Sequence, residues 1–282
     1  MPVEFVKEKY NGAINTIEIG NGAKCVKIGG ETTLPFLFEE GAMPNQPVIA
    51  LEVLDTESPD QAIACGGRLL CVRLASIHPD NGNRPADEVI ASLGLIFKKC
   101  GLPLIIVGCG DAEKDNEVLP KVSQAFKGEN FLFGIATQNN YKTLAATCLA
   151  DGHSIVAESP IDINIAKQLN ILITDMGFDP ARIVMHPTTT SLGYGMEYVY
   201  SIMERGRLAA FLGDKMLSMP FVLFVGQEVW KTKEAKDSIA QGVNWEIATA
   251  VSMLQAGGDL IIMRDPAAAK SVMKYIEMVM KK

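Results

Sequence analysis

The sequence predicts a (β/α)8 barrel preceded by a short β-hairpin extension. Three observations lead there. Eight short apolar runs recur along the chain, helical patterns separate most of them, and no glycine-rich phosphate loop follows the first run. Each run is rich in β-branched or aromatic residues, as parallel strands covered on both faces are.

The runs, in order, are PVIALEVLD (47–55), LLCVRLAS (69–76), PLIIVGCG (103–110), FLFGIAT (131–137), SIVAESP (154–160), RIVMHPT (182–188), PFVLFVGQ (220–227) and DLIIMRD (259–265). Helical patterns stand between them. PADEVIASLGLIFKKCG places apolar side chains at Val89, Ile90, Leu93, Ile96 and Phe97 and closes on lysines and a glycine. NEVLPKVSQAFKG, NNYKTLAATCLADG, DINIAKQLNILITDMG and NWEIATAVSMLQAGG also end on glycine, the expected left-handed stop. PAAAKSVMKYIEMVMKK closes the chain. Repeated strand–helix units imply a parallel sheet with right-handed crossovers, and eight of them suit a closed barrel. An open doubly wound sheet is the alternative, but LDTESPD is no phosphate loop. One unit is weak: TESPDQAIACGGR leaves little room for a full helix.

Residues 1–46 read as an extension and 47–282 as the barrel. Within the extension, AINTIEIGN and AKCVKIGGE suggest a hairpin turning at Asn21-Gly22, placed to plug the N-terminal mouth.

Composition excludes several classes. Apolar residues make up 48% and charged residues 21%, ordinary for a globular protein. The net charge of −7 argues against nucleic acid and anionic membranes as partners. No run is long and apolar enough to span a membrane, and MPVEFVKEKY has no secretory apolar core. Cysteines at 25, 65, 71, 100, 109 and 148 never form C-x-x-C, which reads as free thiols in a reducing cytoplasm, with no metal or iron–sulfur ligation by this chain alone.

Barrel sites sit at the C-terminal ends of the strands. Those ends carry Asp55, the Gly108–Asp111 stretch, Thr137 to Asn140, Glu158, Ser159 and Asp162. His186 through Gly195, Gly226 to Glu228, Arg264 and Asp265 complete the set. Amides and hydroxyls dominate. No G-x-S-x-G elbow appears and no lysine ends a strand. Asp162 and Asp115 also read as helix caps, Gly108 and Gly110 as a tight turn, and the lysines of KTKEAKD as a solvated face. The stretch HPTTTSLGYG (186–195) is long for a strand-to-helix turn. It is expected to form a lip over a large flat ligand. Thr188, Thr189 and Thr190 would offer hydroxyls to the ligand rim, Gly193 and Gly195 would permit close backbone approach, and Tyr194 would supply apolar area. Such a mouth suits a polar-edged ligand better than covalent catalysis.

Together, the blocks KIGGETTLPF, PVIALEV, PLIIVGCGDAEKDNEVL, GENFLFGIATQNNYKTL, SPIDINIAKQLNILI, SLGYGMEYVYSIMERGRLAA, GDKMLSMPFVLFVGQEVWKTKEA and MLQAGGDLIIMRDP cover nearly the whole chain. They resemble the small subunit of the corrinoid iron–sulfur protein, which corresponds to the delta subunit of the archaeal acetyl-CoA decarbonylase/synthase complex. The resemblance implies a barrel paired with a larger subunit that carries an iron–sulfur cluster and holds the corrinoid. The barrel is then expected to cover the cobalamin at the interface. A pterin-dependent methyltransferase and acetyl-CoA synthase are the implied partners in methyl transfer, with cobalt as the nucleophile. The candidate contact residues are Asp111, Asn139, Asn140, Asp162, Thr188, Thr189, Thr190, Gly193, Tyr194 and Gly195. The chain departs from the family at 55–68 and 237–244, which are shorter, and this bears on the partner contact. Two other readings compete. One is a pterin-binding methyltransferase barrel that itself methylates a corrinoid, using Asn139, Asp111 and Asp162. The other is a barrel enzyme acting on a phosphorylated metabolite.

Overall fold

The computed structural model of the chain describes residues 8–281. The first seven residues of the 1–46 extension, and with them most of the stretch read for a leader, lie outside the described residues.

Strands β1 (Thr16–Ile19) and β2 (Val26–Gly29) form an antiparallel hairpin with Thr16 opposite Gly29. The turn differs from expectation. Asn21-Gly22 is not a two-residue connection; it lies inside a six-residue loop, 20–25, that holds a 3-10 turn at Gly22–Lys24. Asn130 fastens this loop by donating to the carbonyls of Glu18 and Gly20.

Eight parallel strands then close a barrel in chain order. They are β3 (Val48–Leu54), β4 (Leu69–Arg73), β5 (Leu104–Val107), β6 (Leu132–Ala136), β7 (Ser154–Glu158), β8 (Ile183–His186), β9 (Phe221–Leu223) and β10 (Gly258–Met263). Closure is made by β10 on β3, with Leu260 opposite Val48. The surrounding helices are α1 (Asp60–Cys65), α2 (Ala86–Cys100), α3 (Ala112–Ala125), α4 (Tyr141–Asp151) and α5 (Ile163–Asp175). They continue with α6 (Met196–Phe211), α7 (Val225–Val229), α8 (Lys233–Asp237), α9 (Ile239–Gln255) and α10 (Pro266–Val279). The weak unit is indeed short: α1 has six residues and ends at Gly66 in the left-handed region.

Strand alternation sorts side chains into two cores. Leu70, Val72, Ile106, Phe133 and Ile155 point outward against the helices. Val48, Ala50, Leu69, Cys71, Val156, Val184, Leu260 and Ile262 fill the barrel interior. Ile17, Ile19, Val26 and Ile28 of the hairpin join that interior cluster, so the hairpin closes the barrel floor. Each of these four is at most 2% exposed, and each such burial stabilises by about 1.5–3 kcal/mol before entropy is subtracted. The extension also docks on the end of α6. Gly12 N–H donates to Phe211 O at 2.9 Å and Tyr10 stacks on Phe211, with ring centroids 5.0 Å apart.

Candidate functional site at the barrel mouth

Inward alternation continues past the apolar layers into a charged one. After Ala50, Cys71, Val156, Val184 and Ile262, the next inward residues are Glu52, Arg73, Glu158, His186 and Arg264. They bond to one another. Glu52 Oε2 accepts from Arg73 Nη2 at 2.8 Å, and its Oε1 accepts from Arg264 Nε at 2.8 Å. Burial works to raise the Glu52 carboxyl, but the two guanidiniums, Arg73 first, outweigh it and hold it below the usual carboxylate range. Arg73 also donates to Gln227 of α7 and lies over the Phe224 ring, 5.9 Å from its centroid. The other face of this aromatic cluster is His186, 4.9 Å from Phe224 edge to face.

His186 is the centre of a second chain of bonds. Its Nδ1 lies 2.9 Å from Glu158 Oε2 and its Nε2 lies 3.0 Å from Thr189 Oγ1. Thr189 Oγ1 in turn accepts from Phe224 N–H at 2.8 Å. This carboxylate–imidazole–hydroxyl order has the connectivity of a nucleophile relay. Thr189 is only 3% exposed, however, and its hydroxyl is already held at both ends. The arrangement fastens the loop after β8 to β7 and β9.

The long stretch before α6 is therefore a rigid lip. Thr188 donates to Ser159 O at 2.8 Å. From α9, Thr249 Oγ1 accepts Leu192 N–H and Trp245 Nε1 donates to Leu192 O at 3.0 Å. Tyr194 Oη donates to Glu234 Oε2 of α8 at 2.8 Å. This corrects the expectation that the three threonine hydroxyls face outward. Those of Thr188 and Thr189 are bonded inside the lip, and Thr190 Oγ1 is buried. What faces outward is Gly193, Tyr194 and, one turn on, Tyr198, with Gly195 at the helix start.

The other candidate residues lie at the remaining strand ends. Asp111 caps α3 by accepting Lys114 N–H, and Asp162 caps α5 by accepting Asn164 and Ile165 N–H. Asp115 does not cap; it reaches back to accept Cys109 N–H at 2.8 Å and Gly110 N–H at 3.1 Å. Burial pushes the Asp115 carboxyl up against those two bonds. Asn140 is buried, accepting Thr137 N–H and donating to Ile135 O. Asn139 is exposed, and only its backbone N–H enters a hydrogen bond. Asp55 is closed off beneath Ser76, with Arg84 Nη1 at 3.6 Å.

Beside the charged layer, a cleft of about 680 Å³ opens over the end of β3, walled by Glu52, Arg264, Gln61 and the loop into α1. Glu246 of α9 stands behind Arg264. Its carboxylate accepts Arg264 N–H at 2.6 Å, Trp230 Nε1–H at 3.0 Å and Asp265 N–H at 3.2 Å. Burial pushes this carboxyl up to about 7 against those three bonds. Sequence reading missed Glu52, Arg73 and Glu246. For the first two the signal was present: a charge at the inward phase of an apolar strand. All six cysteines are unpaired, and burial pushes the Cys109 thiol at the mouth up to about 11. Among the described residues, no group of three or more His, Cys, Asp and Glu side chains is placed to hold a metal ion. Among the same residues, no helix is long and apolar enough to cross a membrane.

Fold and mouth define a closed eight-stranded α/β barrel with a plugged floor and a charge-paired upper face. Solved dihydropteroate synthases share the barrel. That of Xanthomonas albilineans with 7,8-dihydropteroate matches with a TM-score of 0.57 at 15% identity, over 88% of this chain and 98% of that one. That of Thermus thermophilus with 6HMPPP gives 0.58 at 15%, over 87% and 99%. Sequence comparison is more specific. The family model for the CO dehydrogenase/acetyl-CoA synthase delta subunit matches residues 16–280, and the chain belongs to this family. The acetyl-CoA decarbonylase/synthase complex subunit delta of Methanopyrus kandleri is 30% identical over 290 residues, covering 92% of this chain and 71% of that protein. Subunit delta 2 of Methanosarcina acetivorans is 31% identical over 292 residues, covering 91% and 66%. The chain thus spans about two thirds to seven tenths of these relatives. The alignment with the Archaeoglobus fulgidus subunit runs to 316 residues, longer than the chain itself, so that relative carries residues with no counterpart here.

Proposed function

We propose that this delta-family subunit lays its barrel mouth against a corrinoid held by a larger iron–sulfur subunit. It covers the cobalamin while a methyl group passes from a methyl-pterin towards acetyl-CoA synthase. The observation that carries this reading is the state of the mouth. Its inward charges are bonded to each other, the cleft lies at the end of β3, and the surface around the lip after β8 is a rim. The rim fits the edge of a flat macrocycle. An added Cβ at Gly193 would meet no atom within 4 Å, and one at Gly195 would meet only the Tyr198 ring at 3.5 Å. Gly193, Gly195, the faces of Tyr194 and Tyr198, and the amide of Asn139 would hold the corrinoid edge. When bound, the corrinoid supplies the cobalt that accepts and donates the methyl group. The chain's own residues would exclude water and orient the rim.

The competing reading, a barrel that binds methyl-pterin itself, is less well supported. It needs Asp111 and Asp162 as ligand groups, and both carboxylates cap their own helices. The test is anaerobic purification with and without the large subunit, followed by a visible spectrum and a methyl-tetrahydrofolate titration. Corrinoid absorbance only in the complex is expected, with no pterin bound by the isolated chain. Methyl-pterin bound by the isolated chain at micromolar concentration would overturn the capping role.

A further inference from the structure

At the barrel floor, opposite the mouth, three charged groups from three elements meet away from water. Glu31 follows β2 in the extension, Arg207 lies near the end of α6, and Asp259 stands on β10; they are 4%, 2% and 3% exposed. Arg207 Nη2 donates to Asp259 Oδ2 and to Gly257 O, and Asp259 Oδ2 also accepts Phe221 N–H at 2.6 Å. Glu31 Oε2 lies 3.5 Å from Arg207 Nη1, an ion-pair distance at which neither atom makes a hydrogen bond. Glu31 and Asp259 thus flank the same guanidinium, at its Nη1 and Nη2. Other walls of this small cavity, among them Thr33, Met43 and Leu254, carry no titratable group.

Counting charge decides the protonation. One guanidinium balances one carboxylate, and Asp259, with an amide and the guanidinium donating to it, is that carboxylate. A second anion here would have to share the one guanidinium with Asp259, leaving a net buried negative charge. The geometry points to a proton held by Glu31 beside the Arg207–Asp259 pair, a cluster that clasps the N-terminal extension to the barrel floor while Glu31 is protonated. Burial, then the Asp259 charge, push the Glu31 carboxyl up to about 8, with Arg207 opposing. Its folded value exceeds the unfolded one. Its stabilisation is therefore full only below about 4.5, declines as pH rises above that, and is gone once pH passes about 8. Arg207 sits at one end of the helix whose other end carries the lip, about 20 Å away at 1.5 Å per residue. The clasp does not depend on what the mouth binds.

Hydrogen exchange of the full chain between pH 6.5 and 9 tests the clasp, with intrinsic base catalysis corrected. Protection at Ile17 and Ile28 should fall at least tenfold relative to Ile105 in the barrel, and Glu31→Gln should remove that difference. Hairpin and barrel amides moving in parallel, or the same fall in Glu31→Gln, would overturn the proposal. If the variant does not fold, carboxyl NMR of the wild-type chain decides: a Glu31 proton retained above pH 7 supports the clasp, and a carboxylate already formed below pH 6 refutes it.

Discussion

Thr189 shows how much one side chain determines at the mouth. Its hydroxyl joins His186 on β8 to the Phe224 amide after β9. Thr189→Val keeps the shape and removes both bonds, leaving a buried N–H and an imidazole nitrogen without partners. A buried group left unsatisfied costs about 1–3 kcal/mol. Urea unfolding should show a loss in that range, with an unchanged slope; a loss below about 0.5 kcal/mol would mean the hydroxyl is not holding the lip. Glu52 makes the same point with charge. One carboxylate accepts hydrogen bonds from two guanidiniums, of which one, Arg73, is only 13% exposed at the side chain. None of these roles follows from residue type. A threonine in a polar loop reads as a ligand contact, and here its neighbours in space have taken the hydroxyl.

The helices and turns carry their own tests. Gly257, just ahead of β10, has a φ of +99°, and an added Cβ would lie 2.6 Å from Arg207 Nε. Gly193 in the lip has a φ of +77° and open space around it. Backbone strain alone costs about 1–2 kcal/mol at either site. Gly257→Ala must in addition displace Arg207 from Asp259, so its melting temperature should fall well below that of Gly193→Ala. Equal losses would show that Arg207 moves aside freely. Most elements were legible from periodicity: seven of the eight barrel strands lie within the apolar runs and β10 starts one residue ahead of its run, while α2, α5 and α10 lie within the amphipathic patterns. Boundaries were less so. Helix α3 begins at Ala112, four residues before its apolar pattern, because Asp111 caps it. Helix α9 begins at Ile239 behind its cap Ser238. The hairpin turn was misread because Asn-Gly favours a two-residue turn only when the flanking strands pair immediately beside it. Here Asn130 holds a wider loop open.

For the whole molecule, buried carboxyls set the response to pH. Glu246 is fully buried, and its folded value of about 7 lies above that of an unfolded glutamate. The folded chain therefore holds a proton that the unfolded chain releases, so this stability is present at acid pH and declines between about 4.5 and 7. Glu246→Gln cannot titrate. Plotted against pH, the stability of wild type minus variant should fall across that interval, by at most about 1.4 kcal/mol per pH unit. A flat difference would place the ionised form in the native state throughout.

Sequence by itself determined the barrel, the hairpin on its floor and the family. These follow from strand and helix periodicity and from motif blocks spread along the chain, which depend only on residue order. It also marked the strand ends and the long lip as the place to look. Tertiary structure decided which of those polar groups are free. Glu52, Arg73 and Arg264 come from opposite ends of the chain and meet only because β10 closes on β3. Glu246 reaches Arg264 from another element, and Thr188, Thr189, Asp111 and Asp162 bond to backbone that folding brings into hydrogen-bond range. A polar side chain is available to a ligand only if nothing in its own protein has satisfied it first, and that depends on distances in space, which residue order does not contain.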